Sequence, residues 1–190
     1  MDNITIIQKQ LLDSRLTPEE QSSLEAQTNG STPPSSRLRW LKMATSDVDR
    51  AGDVMLLAGM DATNFLKNPQ YLWQHGMSGA TVSTMGTIRK LITSGNALFA
   101  LAEYATEDIS PLAEQIFQLD IAGFLPANSI GFRPIEWEEN EAGGRTFTKW
   151  ELIECSKVEL PMNPNAVDSG AAKSLDHIHT LDFANDWLAS

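Results

Sequence analysis

The sequence predicts a mainly β fold with flanking helices, an α+β domain whose strands carry the core. Three observations predict it. Apolar and polar residues alternate in RLRWLKMATS, in LITSGNALFALAEYA and in FTKWELIECSKVEL, the pattern of strands with one buried and one solvated face. A single segment, SPLAEQIFQLDIAGF, shows helical spacing between a start and a stop signal. The composition, 42% hydrophobic and 21% charged over 190 residues, supplies one core of single-domain size and excludes wholesale disorder.

Taken in order, Ile4, Ile7, Leu11 and Leu12 predict a short amphipathic helix over residues 3–16. Residues 17–36 are rich in Ser, Thr, Pro, Gln and Glu, so burial there cannot offset the entropy of ordering, and they are expected to be a linker. The first strand run follows, then MDATNFLKNP, which predicts a helix ended by Pro69. After the second run, Ser110 is the expected N-cap of a helix with Pro111 at its first position and Glu114 in its first turn. Leu112, Ile116, Phe117 and Leu119 would form its buried stripe and Gly123 its stop. Beyond the third run the chain turns polar again, with a late apolar cluster of Ile178, Leu181, Phe183, Trp187 and Leu188 that could form a terminal helix. The expected organisation is a helix and acidic linker at 1–36, a folded domain at 37–163 and an acidic tail at 164–190.

The formal charge of -11 divides as -3 on residues 1–36, -5 on 37–163 and -3 on 164–190. Acidity of this size argues against binding nucleic acid or anionic lipid, which need an excess of Lys and Arg. No stretch approaches the roughly 18–20 apolar residues of a membrane span, and MDNITIIQKQLLDSR lacks the basic-then-apolar order of a secretory signal. A soluble, unexported protein is expected. The single cysteine, Cys155, cannot close an internal disulfide, and three histidines are too few for a Cys/His zinc knuckle.

His75 is the one histidine outside the tails, and imidazole is the side chain that shuttles protons near neutrality. Ser129, in PANSIGFRP, follows the Gly123 stop; a serine becomes a nucleophile only when the fold brings a base to it. Ordinary turn chemistry is the plainer account of a serine among Asn, Gly and Pro. In WELIECSKVEL, strict alternation puts Leu152, Glu154 and Ser156 on one face and Glu151, Ile153 and Cys155 on the other. Either glutamate could orient a histidine, and alternation would allow only one to do so. Cys155 is an alternative nucleophile, though a lone strand cysteine usually packs in a core. His177 and His179, with Asp176 and Asp182 close by, have a spacing that could hold a metal but lack a firm third ligand. EWEENEAGG is expected to be a solvated hairpin loop; it lacks the ligand spacing of an EF-hand.

NPQYLWQHG, ANSIGFRP and ELIECSKVELPMNPNA, in this order and spacing, resemble the prohead (capsid maturation) serine proteases of tailed bacteriophages, with their Asn-Pro-x-x-Leu-Trp-x-His, Ser-x-Gly-Phe and Glu-Leu-x-Glu-x-Ser blocks and a closing Pro-x-Asn-Pro. DRAGDVMLLAGMDATNFLKNP resembles the opening segment of that family, and MGTIRKL its strand after the histidine; the resemblance covers roughly residues 38–166. Departures are Gly76 where Asp often follows the histidine, Thr84-Met85-Gly86 where Pro-Ile-Gly is frequent, and Met162 within the Pro-x-Asn block.

The resemblance implies a serine endopeptidase with Ser129 as nucleophile, His75 as general base and acid, and Glu154, in preference to Glu151, as the histidine's partner, with no cofactor and no metal. The family is similar in fold to the herpesvirus assemblins, which implies a small closed β-barrel wrapped by helices. Its substrates would be phage scaffolding and major capsid proteins, and its own tails, cut within the procapsid in the host cytoplasm. Nucleic acid and membrane are not expected partners, and a homodimer is compatible with the family. The rival readings are a catalytically silent scaffold or shell-interior protein of the same fold and, more distantly, a metal-dependent hydrolase using His75, His177 and His179.

Overall fold

The computed structural model describes residues 37–168 except 78, 80 and 81. The helix expected at 3–16, the linker, the terminal apolar cluster and the His177/His179 pair lie outside the described residues. The elements are β1 (Leu38–Thr45), β2 (Val54–Met55), β3 (Met60–Asp61), β4 (Gln70–Trp73), β5 (Thr84–Ser94), β6 (Ala97–Tyr104), α1 (Pro111–Ile121), β7 (Asn128–Glu139) and β8 (Arg145–Lys157). All eight strands form one sheet in the order β1-β6-β5-β4-β8-β2, with β3 and β7 also on β8. The fold is mainly β with one α-helix among the described residues, and no described helix is long and apolar enough to cross a membrane.

Strand β8 is the spine. One edge pairs antiparallel with β7 along its length, and the other takes β2, β3 and β4 in turn, all parallel. This double pairing follows from its composition: Phe147, Trp150, Leu152 and Cys155 give it a continuous core face and are almost fully buried. They pack with Leu41, Met43, Tyr71, Met85, Leu98 and Phe117 in the main core. Strands β7 and β8 meet at the tip 140–144, so only the second half of EWEENEAGG is the expected hairpin loop and Glu136–Glu139 belong to β7. Asn140 Oδ1 accepts from the Ala142 and Gly144 N–H groups there, and Asp53 Oδ1 accepts from Arg145 N–H at 2.7 Å. The opening Asp-Arg-x-Gly-Asp segment therefore serves to dock the hairpin tip.

Helix α1 forms as its sequence signals require. Ser110 Oγ accepts from Ala113 N–H at 3.2 Å, Pro111 opens the first turn, and Gly123 follows the helix end at a φ of 81°. Its inward face departs from the expected stripe: Ala113 and Asp120 are buried with Ile116 and Phe117, Leu112 is partly buried and Leu119 is exposed, Asp120 being drawn inward by a buried cation.

Four expectations are corrected. MDATNFLKNP is not a helix: Met60–Asp61 is β3, paired with Trp150 and Glu151, and only a single 3-10 turn forms at Phe65–Lys67. The Asp61 carboxylate accepts from Thr63 N–H at 2.8 Å, an Asx turn that competes with helix. LITSGNALFALAEYA is not one strand but the hairpin of β5 and β6, turning at Gly95 with a φ of 58°. Strands β1 and β6 are buried on both faces rather than half-solvated, because Leu38, Trp40, Ile92, Ala97, Phe99 and Leu101 form a second apolar cluster. Lastly, the sheet curls into an open half-barrel and not a closed barrel, since among the described residues no backbone ladder joins β7 to β1.

Side chains span that gap instead. Asn128 Nδ2 donates to Lys42 C=O and to Asp168 Oδ1, each at 3.2 Å, and Asp168 Oδ1 accepts from Lys42 N–H at 3.1 Å. Asn163, from the Pro161-Met162-Asn163-Pro164 block, donates to Thr45 C=O at 2.8 Å. Behind them the fully buried Lys157 ammonium lies 2.9 Å from Asp120 Oδ1, 3.3 Å from Asp168 Oδ2 and 2.9 Å from Asn128 Oδ1. Removing one member of a buried ion cluster leaves the rest uncompensated, which typically costs about 3–5 kcal/mol. Lys157→Met is thus expected to lower unfolding stability by about 3 kcal/mol or more, read as a lowered urea midpoint with unchanged cooperativity.

Candidate active site

The site begins with an irregularity in β8. Gly131 pairs with Glu154 and Phe132 with Leu152, so Ile153 is an extra residue bulged out of the ladder, and it is half exposed. A bulge breaks alternation. Leu152 and Cys155 both face the core, while Glu154 and Ser156 face away from it with their cross-strand partners Gly131 and Ser129. Glu151, opposite Arg133, lies on this outer face too, so the two glutamates share a side where strict alternation had separated them.

Their partners differ. Glu151 accepts from Asn64 Nδ2 at 2.8 Å and pairs with Arg133 Nη2 at 2.5 Å. Those contacts, the amide hydrogen bond first, hold its carboxyl below the usual range. Glu154 Oε1 instead lies 2.6 Å from His75 Nδ1, and Glu154 Oε2 accepts from the Ser156 hydroxyl. Since a carboxylate can only accept, Nδ1 carries the proton and Nε2 is left as the basic nitrogen. The hydrogen bond to Glu154, against a smaller opposing effect of burial, raises the His75 pKa above its ordinary value of 6.5.

His75 reaches Glu154 through an unusual backbone. The turn Gln74–Gly76, which follows β4, has φ values of 50° at Gln74, 56° at His75 and 72° at Gly76. Gln74 and His75 are the only non-glycine residues with positive φ among the described residues. Such positions cost about 1–3 kcal/mol each and persist where surrounding contacts over-determine them. Here the turn folds back over the outer face of β8, and His75 N–H donates to Ser156 Oγ at 3.2 Å. Glu154 is consequently only 9% exposed and Ser156 fully buried although they lie outside the core. Gly76 falls in the same left-handed region, which glycine visits freely and aspartate more readily than most residues.

Ser129 opens β7 on the same face, directly across the ladder from Ser156, and is partly exposed. Among the described residues its hydroxyl makes no hydrogen bond, and its cross-strand partner Ser156 is the residue whose hydroxyl meets the His75 backbone. Gly131, two residues on, makes room: a Cβ built there would lie 2.5 Å from Glu154 Oε1. Cys155 points the other way, into the core, and burial pushes its thiol pKa well above the ordinary range, so it cannot supply a thiolate to His75. No group of three or more potential metal ligands occurs among the described residues. Of the predicted residues, then, His75, Glu154 and Ser129 come to one face, Glu151 is engaged elsewhere, and His177 and His179 lie outside the described residues. Sequence reasoning missed Ser156 as part of the constellation and missed the bulge that turns it to the outer face.

A histidine whose Nδ1 is held by a carboxylate keeps Nε2 for proton transfer, the use serine hydrolases make of it, and Ser129 lies on the same sheet face as that carboxylate. Comparison with known families gives the particular case: residues 43–180 match the model of the caudovirus prohead serine protease, and the chain belongs to that family, a family of serine peptidases of capsid maturation. No curated protein and no solved structure matches the chain.

Two outcomes follow. A histidine with a raised folded-state pKa contributes stability that is fully present below its unfolded value and is lost as pH rises through the folded value. An NMR titration should place His75 above 6.5, and Glu154→Gln, which removes the charge, should bring it down. Gly131→Ala should push the Glu154 carboxylate off the ring, lower the His75 pKa in the same titration and reduce turnover about 10²-fold, by analogy with other small displacements of reacting groups, while the fold is retained.

Proposed function

We propose that this chain is the serine endopeptidase of phage capsid maturation, with Ser129 as nucleophile, His75 as general base and acid, and Glu154 as the group that holds the imidazole. The observation that carries the reading is the 2.6 Å bond from His75 Nδ1 to Glu154 on the sheet face shared with Ser129. In the first step Ser129 Oγ attacks the scissile carbonyl carbon while its proton passes to His75 Nε2. Glu154 stabilises the imidazolium so formed. Collapse of the tetrahedral intermediate breaks the C–N bond, and His75 returns the proton to the leaving amine. Water then repeats the cycle on the acyl-enzyme, freeing the acid product and Ser129. Because His75 must be neutral to accept the proton, activity should rise with pH through its raised pKa.

The substrates in this reading are extended segments of scaffolding and major capsid proteins, cut inside the procapsid within the host cytoplasm. The acidic flanks at 1–36 and beyond the folded domain would be further substrates, since proteolysis needs accessible extended chain. The curl of the sheet and the helix packed on it support a likeness to the assemblin fold, with side chains in place of the last backbone ladder.

In cells making the shell components, Ser129→Ala should abolish processing of the shell proteins, and unaltered processing would sink the proposal. Glu154→Gln should lower the rate of the purified protein by about 10²–10⁴-fold, the usual worth of general acid–base assistance. Glu151→Gln should leave the rate within a few fold, and a chelator should have no effect.

A further inference from the structure

We propose that Ser156 is a positioning residue of this site, a single hydroxyl that fixes both the backbone carrying His75 and the carboxylate that orients it; the inference rests on reading Ser129, His75 and Glu154 as the catalytic set. A serine hydroxyl has one proton to donate and two lone pairs to accept with. Ser156 uses both capacities on the site. Its proton goes to Glu154 Oε2, and its oxygen accepts the His75 N–H at 3.2 Å. Glu154 Oε1 is bonded to the His75 ring, so backbone, hydroxyl, carboxylate and imidazole form a closed cycle of three hydrogen bonds.

The cycle answers a need visible in the backbone. His75 and Gln74 are held at positive φ, and outside the turn's own bond from Met77 N–H to Gln74 C=O, the Ser156 hydroxyl is the contact that anchors the His75 amide. Ser156 is fully buried, so a methyl group in its place would leave the amide and one carboxylate oxygen without that partner. It also lies directly opposite Ser129, which ties the histidine turn to the strand bearing the nucleophile through one cross-strand pair. Ser156 is not itself a nucleophile here: its proton is engaged by Glu154, and it meets the backbone of His75 and not the ring.

The test uses the full chain and a fluorophosphonate probe. In that reaction the Ser129 Oγ–P bond forms, the P–F bond breaks with loss of fluoride, and the serine proton passes to His75. Ser156→Ala should lower the maximal labelling rate about 30-fold or more, as misplacement of a reacting group does, with little change in the probe concentration for half-maximal rate. The downfield proton resonance of His75 Nδ1–H should broaden or vanish in Ser156→Ala and persist in Ser129→Ala. Labelling of folded Ser156→Ala at the wild-type rate with the resonance unchanged would overturn the proposal. Should Ser156→Ala fail to fold, Ser156→Thr carries the test: labelling within threefold of wild type, with the resonance kept, supports a hydroxyl role, and slow labelling of the folded variant refutes it. Ser129→Ala separates the two readings, because labelling that survives in it overturns the parent assignment of the nucleophile and this inference along with it.

Discussion

The buried Lys157 ammonium is the interaction on which the rest of the molecule depends. It joins Asp120 on α1 to Asn128 at the start of β7 and Asp168 on the segment after β8, two stretches that also meet through an antiparallel backbone bridge at Ala127 and Val167. Tyr104 OH donates to Asp120 Oδ2 at 3.3 Å and meets Tyr71 OH at 3.0 Å, so the polar cluster continues into the core through two aromatic residues. Burial and the nearby Asp120 charge raise both phenol pKa values well above 10, which keeps them neutral partners. Asn128 immediately precedes Ser129, and Lys157 immediately follows Ser156. The ionic cluster on the inner face therefore fixes the two strand ends whose outer face carries the site.

This division of labour explains the motifs. The Pro161-Met162-Asn163-Pro164 end of the third block serves the fold: Asn163 closes the open side of the half-barrel on Thr45. The Asp-Arg-x-Gly-Asp segment docks the hairpin tip through Asp53, and Arg50 Nη1 donates to Pro161 C=O. Only the histidine, Ser-x-Gly-Phe and Glu-x-Ser blocks reach the outer face together. Of their members, Gly131 contributes by what it lacks.

Much of this was legible in the residues. Helix α1 carried its cap, its proline and its glycine in plain order, and β1 and β8 followed from alternation. The failures have local physical causes. One extra residue at Ile153 reverses the face of everything beyond it, so alternation alone put Glu154 beside Leu152 and separated it from Glu151. The Asp61 side chain competes with its own backbone and turns a helical-looking stretch into an Asx turn. Lys157 reads as solvated from its residue type, and only the bulge at Ile153 carries it, with Cys155, to the core side. The left-handed turn at His75 is set by contacts with β8, which a local reading of Gln74-His75-Gly76 does not contain.

The order of the chain gives that turn a further meaning. His75 and Ser129 precede β8, yet Glu154, Ser156 and Lys157 lie in its last four residues and Asp168 lies beyond it. During synthesis His75 and Ser129 therefore emerge before Glu154, Ser156, Lys157 and Asp168. A nascent or truncated chain possesses both side chains without the contacts that bring them to one face. Long-range closure of this kind is slow compared with local structure, so the contacts that hold the His75 turn on the outer face can form only once the last residues of β8 have been made.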